Sequence, residues 1–289
     1  MADVTAVILT KNEEKNIGAC IESIRSFAKR IVVVDSGSTD QTVETAKALG
    51  ADVYTHPFSY YAQQFNWGLD NTGIDTEWAL RLDADERFTP ELCAECEKIL
   101  TEVKGTDVNG IAMDSDFYFL GRLMKHGLAN RRKIMLFRVG FGRLEDRKRD
   151  PHTVISSGTY AQTKNRFIHN DFKDLDYYIT KCNWYAIREV QDYMAFKAGA
   201  SQEVNTEKRL QKHRKNKFGI YYKAPKFLRC FLWFCYNYYL KLGFLDGKEG
   251  YIYHWLECYW YRFLIDAKIT EKELNGEDKP DELKAIGES

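Results

Sequence analysis

Residues 31–40 read Ile-Val-Val-Val-Asp-Ser-Gly-Ser-Thr-Asp, and this stretch decides the fold that the sequence predicts. The apolar run from Ile31 to Val34 is typical of a buried strand. A polar cluster ends the strand, and apolar residues then recur at helical spacing from Val43 to Leu49, where Gly50 is a natural helix C-cap. The stretch therefore predicts a strand, a polar loop and a helix in succession.

Three further strand-like runs surround this unit, at Val4–Leu9, Ala51–Thr55 and Trp78–Leu82. Helical spacing separates them, so the sequence predicts βαβ units and an α/β fold with a mostly parallel, Rossmann-like sheet. In such sheets ligands bind beyond the carboxyl ends of the strands. The polar clusters that end the first, second and fourth runs lie at those ends, which is the first functional signal in the sequence.

Length and composition narrow the class of protein further. The 289 residues fit one large α/β domain, which we place at residues 1–205, with a helical, aromatic-rich extension at residues 206–289. Lys plus Arg equals Asp plus Glu at 42 each, so the charge balance gives no footprint for nucleic acid. No G-x-x-x-x-G-K-S/T or G-x-G-x-x-G motif follows the first strand, which argues against P-loop nucleoside triphosphatases, dinucleotide dehydrogenases and nucleotidyltransferases.

The triplet Asp83-Ala84-Asp85 follows the fourth strand-like run. Two carboxylates at i and i+2 can hold a divalent cation, which stabilises the charge that develops on a diphosphate leaving group. The alternative is a solvated acidic turn, but the position after an apolar strand favours the functional interpretation.

The carboxylate of Asp35 follows the second run, where it can hydrogen-bond a base or a ribose hydroxyl. The alternative is a helix cap supplied by Ser38 or Asp40, and both interpretations can hold together. The segment at residues 10–13 is a weak signal alone, since it also reads as a capping segment.

Three segments resemble the family 2 glycosyltransferases: T-x-N-E at residues 10–13, V-V-V-D-S-G-S-T-D-x-T at residues 32–42 and L-D-A-D-E at residues 82–86. The resemblance implies the GT-A fold, inverting sugar transfer from a nucleotide sugar, for which a UDP-sugar is expected, and a divalent metal, Mn²⁺ or Mg²⁺. The donor contacts that it implies come from Thr10, Asn12, Glu13, Asp35, Ser36, Asp83 and Ala84, and the metal contacts from Asp85 and Asp83. Gln64-Phe65-Asn66 resembles a segment that usually reads Arg-x-x-Asn, which adds Gln64 and Asn66 as donor contacts without the basic residue.

The second half resembles a subgroup that builds bacterial surface polysaccharide and lipopolysaccharide cores. The segments that carry this resemblance lie at residues 142–152, 181–189, 244–250 and 259–264. It implies an acceptor hydroxyl on a lipid-linked saccharide, a polysaccharide or a lipopolysaccharide.

One departure from the subgroup concerns the catalytic base. Relatives carry Glu where this chain has Pro151, and an inverting transferase needs a carboxylate to deprotonate the acceptor hydroxyl. The candidates that remain are Asp150, then Asp146, then Glu145. The alternative is that these acids merely offset the neighbouring basic residues, in which case the chain is a catalytically impaired sugar-nucleotide-binding protein of a polysaccharide assembly system.

His152 and His169 are candidates for phosphate or acceptor contact, and His152 also for a metal ligand, although a lone histidine is more often structural. The basic run Lys208–Lys217 precedes an aromatic stretch at residues 227–268, a combination that suits the interface of an anionic membrane. The alternative is an aromatic helical hairpin packed on the core.

The location that we expect is the cytoplasm or the cytoplasmic face of the inner membrane. The seven cysteines are irregularly spaced, which fits a reducing compartment. We find no signal peptide at the N-terminus, and the apolar run Cys230–Leu240 is too short to span a bilayer.

Overall fold

A computed structural model describes residues 1–128, 132–146, 151–197, 219 and 221–276. The chain divides into two compact units. The first consists of residues 1–124 and the described part of 129–172, and the second of residues 125–128 and the described part of 173–289.

A mixed sheet with helices forms the first unit. Its strands are β1 Ala2–Thr10, β2 Ala28–Asp35, β3 Asp52–Thr55, β4 Trp78–Asp83, β5 Glu86–Arg87, β6 Val108–Phe119, β7 Arg122–Met124, β8 Arg132–Arg138, β9 Gly142–Leu144, β10 Thr153–Ile155, β11 Thr159–Gln162 and β12 Phe167–His169. The strand order is β3-β2-β1-β4-β8-β6-β12-β5, with β7 and β11 also paired to β6, and β9 pairs with β10 in a separate hairpin. The pairs among β1, β2, β3 and β4 are parallel, whereas β8 runs antiparallel to β4 and β6.

The helices of this unit are α1 Ile17–Ile24, α2 Thr42–Ala48, α3 Tyr61–Asn71 and α4 Pro90–Glu102. Helix α1 buries Ile17, Cys20, Ile21 and Ile24, an i, i+3, i+4, i+7 stripe that packs against the sheet. Helix α4 begins where the Thr89 hydroxyl accepts the backbone N–H of Leu92. Apolar side chains from both elements join the fully buried strands in one core, which holds the strand ends in place.

Register within the sheet aligns the carboxyl ends of three strands. Strand β1 lies between β2 and β4, with Thr10 opposite Asp35 and Leu9 opposite Asp83. The loops that follow these strands therefore leave the sheet at one edge, as the sequence predicts for a parallel α/β fold.

The second unit is helical. Its elements are α5 Leu175–Lys197, α6 Leu228–Cys235, a π-helical turn Tyr236–Leu240, a 3₁₀ turn Gly243–Asp246, α7 Gly247–His254, a second π-helical turn Trp255–Trp260 and α8 Tyr261–Leu274. Helices α5 and α8 share a core, in which Ala186 and Val190 pack with Ile265 and Ile269. No helix in the described part of the chain is long and apolar enough to cross a bilayer.

The predicted fold class, an α/β GT-A architecture with a helical C-terminal extension, is confirmed. The division between units differs from the predicted boundary after residue 205, which lies outside the described residues. Helix α5, which we placed in the first domain, belongs to the second unit. The physical reason is that its apolar stripe is buried against α8 rather than against the sheet.

Candidate functional site

Asp35, at the end of β2, organises the loop that follows it. Its Oδ2 accepts the backbone N–H groups of Gly37 and Ser38 at 2.8 Å each, and its Oδ1 accepts the Thr10 hydroxyl at 3.0 Å. Gly37 has φ +81°, a conformation that favours glycine. Asp35, only 1% exposed, therefore holds the polar loop of β2 against the end of β1.

The loop after β1 is bound to the loop after β2. Asn12 accepts the backbone N–H of Thr39 at 2.9 Å and donates its own N–H to the Ser38 hydroxyl at 2.8 Å. Glu13 donates its backbone N–H to the Thr42 hydroxyl at 2.7 Å. The first two of the resembling segments therefore form one continuous surface at the sheet edge.

Asp40 has the structural role that we weighed for it. Its Oδ1 accepts the backbone N–H of Thr42 at 3.0 Å, at the first turn of α2. Burial raises the pKa of Asp40, but the hydrogen bonds from Thr42 and from the Glu14 backbone together lower it by more. The pKa of Asp40 is therefore below its usual value. Asp40 therefore stabilises the start of α2.

Asp83, the first acid of the triplet, lies in a network of cations and hydroxyls. Its Oδ1 accepts the Tyr61 hydroxyl, and its Oδ2 lies 3.2 Å from Lys133 Nζ. Arg81 donates to the Tyr61 hydroxyl at 3.2 Å. Burial raises the pKa of Asp83, but the nearby charges of Lys133 and Arg81 lower it below its usual value. The carboxylate is therefore held ionised, with both oxygens engaged.

Glu86 shares the same lysine. Lys133 Nζ, which β8 brings across β4, lies 2.5 Å from Glu86 Oε1, and the Glu86 side chain is 1% exposed. Burial raises the pKa of Glu86 although Lys133 opposes this shift. Sequence reasoning missed Lys133, because only the register of an antiparallel strand places it beside the triplet.

Asp85, the second acid of the triplet, meets a histidine from β12. Its Oδ2 lies 3.2 Å from His169 Nε2, and the two side chains are 14% and 16% exposed. The other ring nitrogen, His169 Nδ1, is buried and has no hydrogen-bond partner among the described residues. Sequence reasoning named His169 only as a phosphate or acceptor contact and His152 as the metal ligand, whereas it is His169 that the structure brings to the triplet.

The Asp85–His169 pair fits a divalent cation in part. A carboxylate oxygen and an imidazole nitrogen are both metal ligands, and here they point at one another from the turn after β4 and from the end of β12. Within the described residues, no group of three or more His, Cys, Asp or Glu side chains converges as a metal site. The protein would therefore supply few ligands, and a cation held here would complete its coordination with water and diphosphate oxygens.

The segment that resembles Arg-x-x-Asn packs against two neighbouring elements. Gln64 donates to the Ser36 hydroxyl at 3.1 Å and lies 2.7 Å from His56 Nδ1. Asn66 exchanges two hydrogen bonds with the Leu144 backbone, at 2.9 and 3.0 Å. These side chains therefore fix the loop of β2 and strand β9 to helix α3.

The candidate bases lie in different surroundings. Glu145 is 7% exposed and accepts both the backbone N–H of His152, at 3.2 Å, and its ring nitrogen Nδ1, at 3.1 Å. Asp146 is exposed and accepts the Tyr60 hydroxyl, a hydrogen bond that raises the pKa of Tyr60 to about 12. Asp150 lies outside the described residues.

A surface cavity of ≈ 500 Å³ opens beside Asp146. Its lining is aromatic and polar and consists of Tyr60, Gln63, Asn66, Trp67, Asp70, Asn71, Arg143, Leu144 and Asp146. Rings beside planar polar groups suit a saccharide, which offers both C–H faces and hydroxyls.

The parallel strands β3, β2, β1 and β4, with an acidic triplet after β4, fit a GT-A fold. The model of Glycosyl transferase family 2 matches residues 5–172. The match covers more than half of the chain, and the chain belongs to this family.

Two kinds of relative show how far the similarity reaches. An uncharacterized glycosyltransferase of Rickettsia prowazekii is 38% identical over 101 residues, 35% of this chain and 34% of that protein. The chain thus matches about a third of the length of its rickettsial relatives. The lipopolysaccharide core biosynthesis glycosyltransferase LpsC of Rhizobium meliloti is 26% identical over 283 residues, 93% of this chain and 92% of that protein.

Solved structures are more distant. Glucosyl-3-phosphoglycerate synthase from Mycobacterium tuberculosis, solved with Mn²⁺, UDP and glucosyl-3-phosphoglycerate, is 21% identical with a TM-score of 0.32. The alignment covers 40% of this chain and 44% of that one. At this score the likeness carries no argument about the site.

Proposed function

We propose that the chain is an inverting glycosyltransferase that moves a sugar from a nucleotide sugar, with UDP the favoured nucleotide, to an acceptor hydroxyl. The observation that carries the proposal is the Asp85–His169 pair beside Asp83. This pair lies at the sheet edge where strands β1 and β2 also end. Membership of family 2 and the similarity to LpsC support it.

The donor would lie across the joined loops. Thr10, Asn12 and Glu13 would contact it from the β1 loop, Asp35 and Ser36 from the β2 loop, and Asp83 and Ala84 from the triplet. Lys133 adds a positive charge beside the triplet, where it would attract a diphosphate. Gln64 and Asn66 would support the donor surface from α3.

Asp85 and His169 would hold a divalent cation, Mn²⁺ or Mg²⁺. Asp83 is less suited to this role, because Tyr61 and Lys133 already engage its two oxygens. The metal, when bound, would neutralise charge on the diphosphate leaving group. His152 stays a predicted metal ligand, although its ring nitrogen Nδ1 lies 3.1 Å from Glu145 Oε1.

The transfer itself needs a base. The acceptor oxygen would attack the anomeric carbon as the bond to the diphosphate breaks, and its proton would pass to a carboxylate. Asp150 and Asp146 are the proposed bases, and Glu145 is third because His152 engages it. Asp146 lies on the cavity that suits a saccharide.

The acceptor that we propose is a lipid-linked saccharide, a polysaccharide or a lipopolysaccharide core, met at the cytoplasmic face of the inner membrane. The similarity to LpsC over nearly the whole chain supports this choice.

A second candidate function is sugar-nucleotide binding without transfer. Pro151 supports it, since a proline cannot act as the base that relatives carry at this position. The backbone oxygen of Pro151 accepts a hydrogen bond from Arg81 at 3.4 Å, which gives the residue a structural role.

Thermal unfolding with UDP, in the presence and absence of Mn²⁺, tests the proposal. Ligand at 100 times its Kd would stabilise the folded state by about 2.7 kcal/mol. We expect that Asp85→Asn and His169→Ala each lose the Mn²⁺-dependent part of this gain, while Asp75→Asn, an exposed acid of the same unit, keeps it.

Undiminished Mn²⁺-dependent binding in folded Asp85→Asn protein would reject the metal site. Turnover of nucleotide sugars with a lipopolysaccharide acceptor then separates the two functions. Tight UDP binding without transfer to any acceptor would favour the binding protein.

A further inference from the structure

The second unit exposes a continuous apolar stretch. Every exposed residue between Phe227 and Leu245, apart from Lys241, has a large apolar or aromatic side chain. The most exposed of them include Leu228, Phe231, Leu232, Tyr239, Leu240 and Leu245, between 49% and 75% exposed. We call these exposed residues of 227–245 the apolar face.

Helix α6 shows that the apolar face is not a by-product of loose packing. Its inner side buries Cys230 and Phe234 completely or nearly so, while Leu228, Phe231 and Leu232 face outward at helical spacing. A surface helix normally turns charged and polar residues outward. Residues 230–240, which span most of α6 and the π-helical turn after it, include no charged side chain.

A buried ion pair fixes which side of α6 faces outward. Arg229 and Asp266 are 2% and 0% exposed, and Arg229 Nε lies 3.1 Å from both carboxylate oxygens. Asp266 also accepts the backbone N–H of Phe227 at 2.8 Å. Rotating the helix to bury its apolar side would break this ion pair. The ion pair therefore keeps the apolar face exposed to solvent.

The charges around the apolar face are positive. Lys223 and Lys241 are exposed, whereas the exposed Lys248 lies 3.8 Å from Glu249 Oε1, whose side chain is 17% exposed. The other acid between residues 221 and 249 is Asp246, which is 3% exposed. The Oδ2 of Asp246 accepts the backbone N–H groups of Lys125 and His126 at 3.0 Å each, so this carboxylate is turned into the unit and away from the rim. The rim therefore complements an anionic surface.

Tyrosine and tryptophan add to this character. Tyr236, Tyr239, Tyr251 and Trp255 are each at least 40% exposed on or next to the apolar face. Rings with one polar end are enriched where a bilayer meets water.

We infer that the apolar face docks on an anionic lipid bilayer, seated in the headgroup region without crossing it. The apolar side chains would enter the acyl boundary, and the lysines would contact anionic headgroups. The inference rests on the proposed function in one respect, since a lipid-linked acceptor is what such docking would serve.

Two other occupants fit less well. A second copy bound face to face would bring the lysine rims together, and like charges across an interface oppose association. The segments at residues 198–218 and 277–289 are too polar to cover the apolar face, because apart from alanine they hold only Val204, Leu210, Phe218, Leu283 and Ile286 as apolar side chains.

Flotation of the full chain with vesicles tests the inference. Vesicles of phosphatidylcholine with roughly 30% phosphatidylglycerol, whose surface potential is negative, should carry the protein upward at low salt. Neutral vesicles and high salt should weaken binding at least tenfold. The double variant Phe231→Gln/Leu232→Gln should also lose at least tenfold, whereas Leu274→Gln, an 82% exposed leucine of the same unit, should not.

Thermal unfolding with UDP and Mn²⁺ separates this inference from the proposed function. The double variant should keep its nucleotide response, since its changes lie outside the donor surface. Equal vesicle binding by wild type and double variant would overturn the inference and leave the proposed function standing. The inference would also be overturned if sedimentation showed that the wild type is a dimer and the double variant a monomer, while neither protein bound vesicles.

Discussion

Replacing Lys133 by methionine removes one cation between two carboxylates and keeps most of the side-chain volume. Lys133 Nζ lies 3.2 Å from Asp83 and 2.5 Å from Glu86. At an effective dielectric constant of about 20, the attraction to Asp83 alone is about 5 kcal/mol. Desolvation offsets much of it, but the Glu86 side chain is 1% exposed, and removing the partner of a buried charge costs about 3–5 kcal/mol, because the charge left behind is uncompensated.

The loss should depend on pH through Glu86. Burial raises the pKa of Glu86 in the folded state, and without Lys133 the pKa would rise further. A group with a raised folded pKa favours the folded state below its unfolded pKa, and this stability is lost as pH rises through the folded pKa. The Lys133→Met variant should therefore regain stability between pH 7.5 and 5.5. Lys133 is also the largest influence that lowers the pKa of Asp83, so its removal raises this pKa as well, and protonation of Asp83 would add to the recovery at low pH.

Thermal unfolding at the two pH values measures the effect. We expect a loss in Tm on the order of 10 °C at pH 7.5 and a clearly smaller loss at pH 5.5. Lys104→Met, at an exposed lysine of the same unit, should change little at either pH. An equal loss at both pH values would refute the role of Glu86, and no loss at pH 7.5 would refute the ion network.

Two further predictions concern the base and the second unit. Asp150→Asn should lower turnover by about 10²-fold or more with little change in donor binding, and steady-state kinetics should show Asp146→Asn as the less affected variant; the reverse order would make Asp146 the base. Gly127→Ala should lower the urea midpoint of unfolding more than Gly50→Ala does, although both glycines have a positive φ. A Cβ at Gly127 would clash with the buried ring of His254, whereas a Cβ at Gly50 would meet nothing within 4 Å. Equal midpoints would show that the ring can move aside.

Much of the fold could be predicted from local patterns. Strands β1, β2 and β4 are buried, so they read as apolar runs, and the acids that end them stand out from those runs. Parallel neighbours then bring the strand ends together without knowledge of any long-range contact. The helical pattern near residue 176 was equally visible, but its partner was not, since the apolar stripe of α5 is the same whether it packs on a sheet or on a helix.

Contacts that depend on register were out of reach of the sequence. Lys133 reaches the triplet because β8 pairs antiparallel with β4. His169 is 84 residues from Asp85 along the chain, and it reaches the triplet because β12 pairs with β5. A lone lysine or histidine carries no local signal of such a pairing.

The two acids of the triplet therefore have different roles, although the motif presents them as equals. The charges of Asp83 and Glu86 are offset by Lys133 and Arg81, in a network where Glu86 is buried and Asp83 and Lys133 are partly exposed. Asp85 instead faces His169, a group that carries charge only when protonated. Tyr61 and Lys133 already engage the two oxygens of Asp83. We therefore propose Asp85 as the metal ligand and assign Asp83 to fixing the end of β4, a division that Asp85→Asn and Lys133→Met would test from opposite sides.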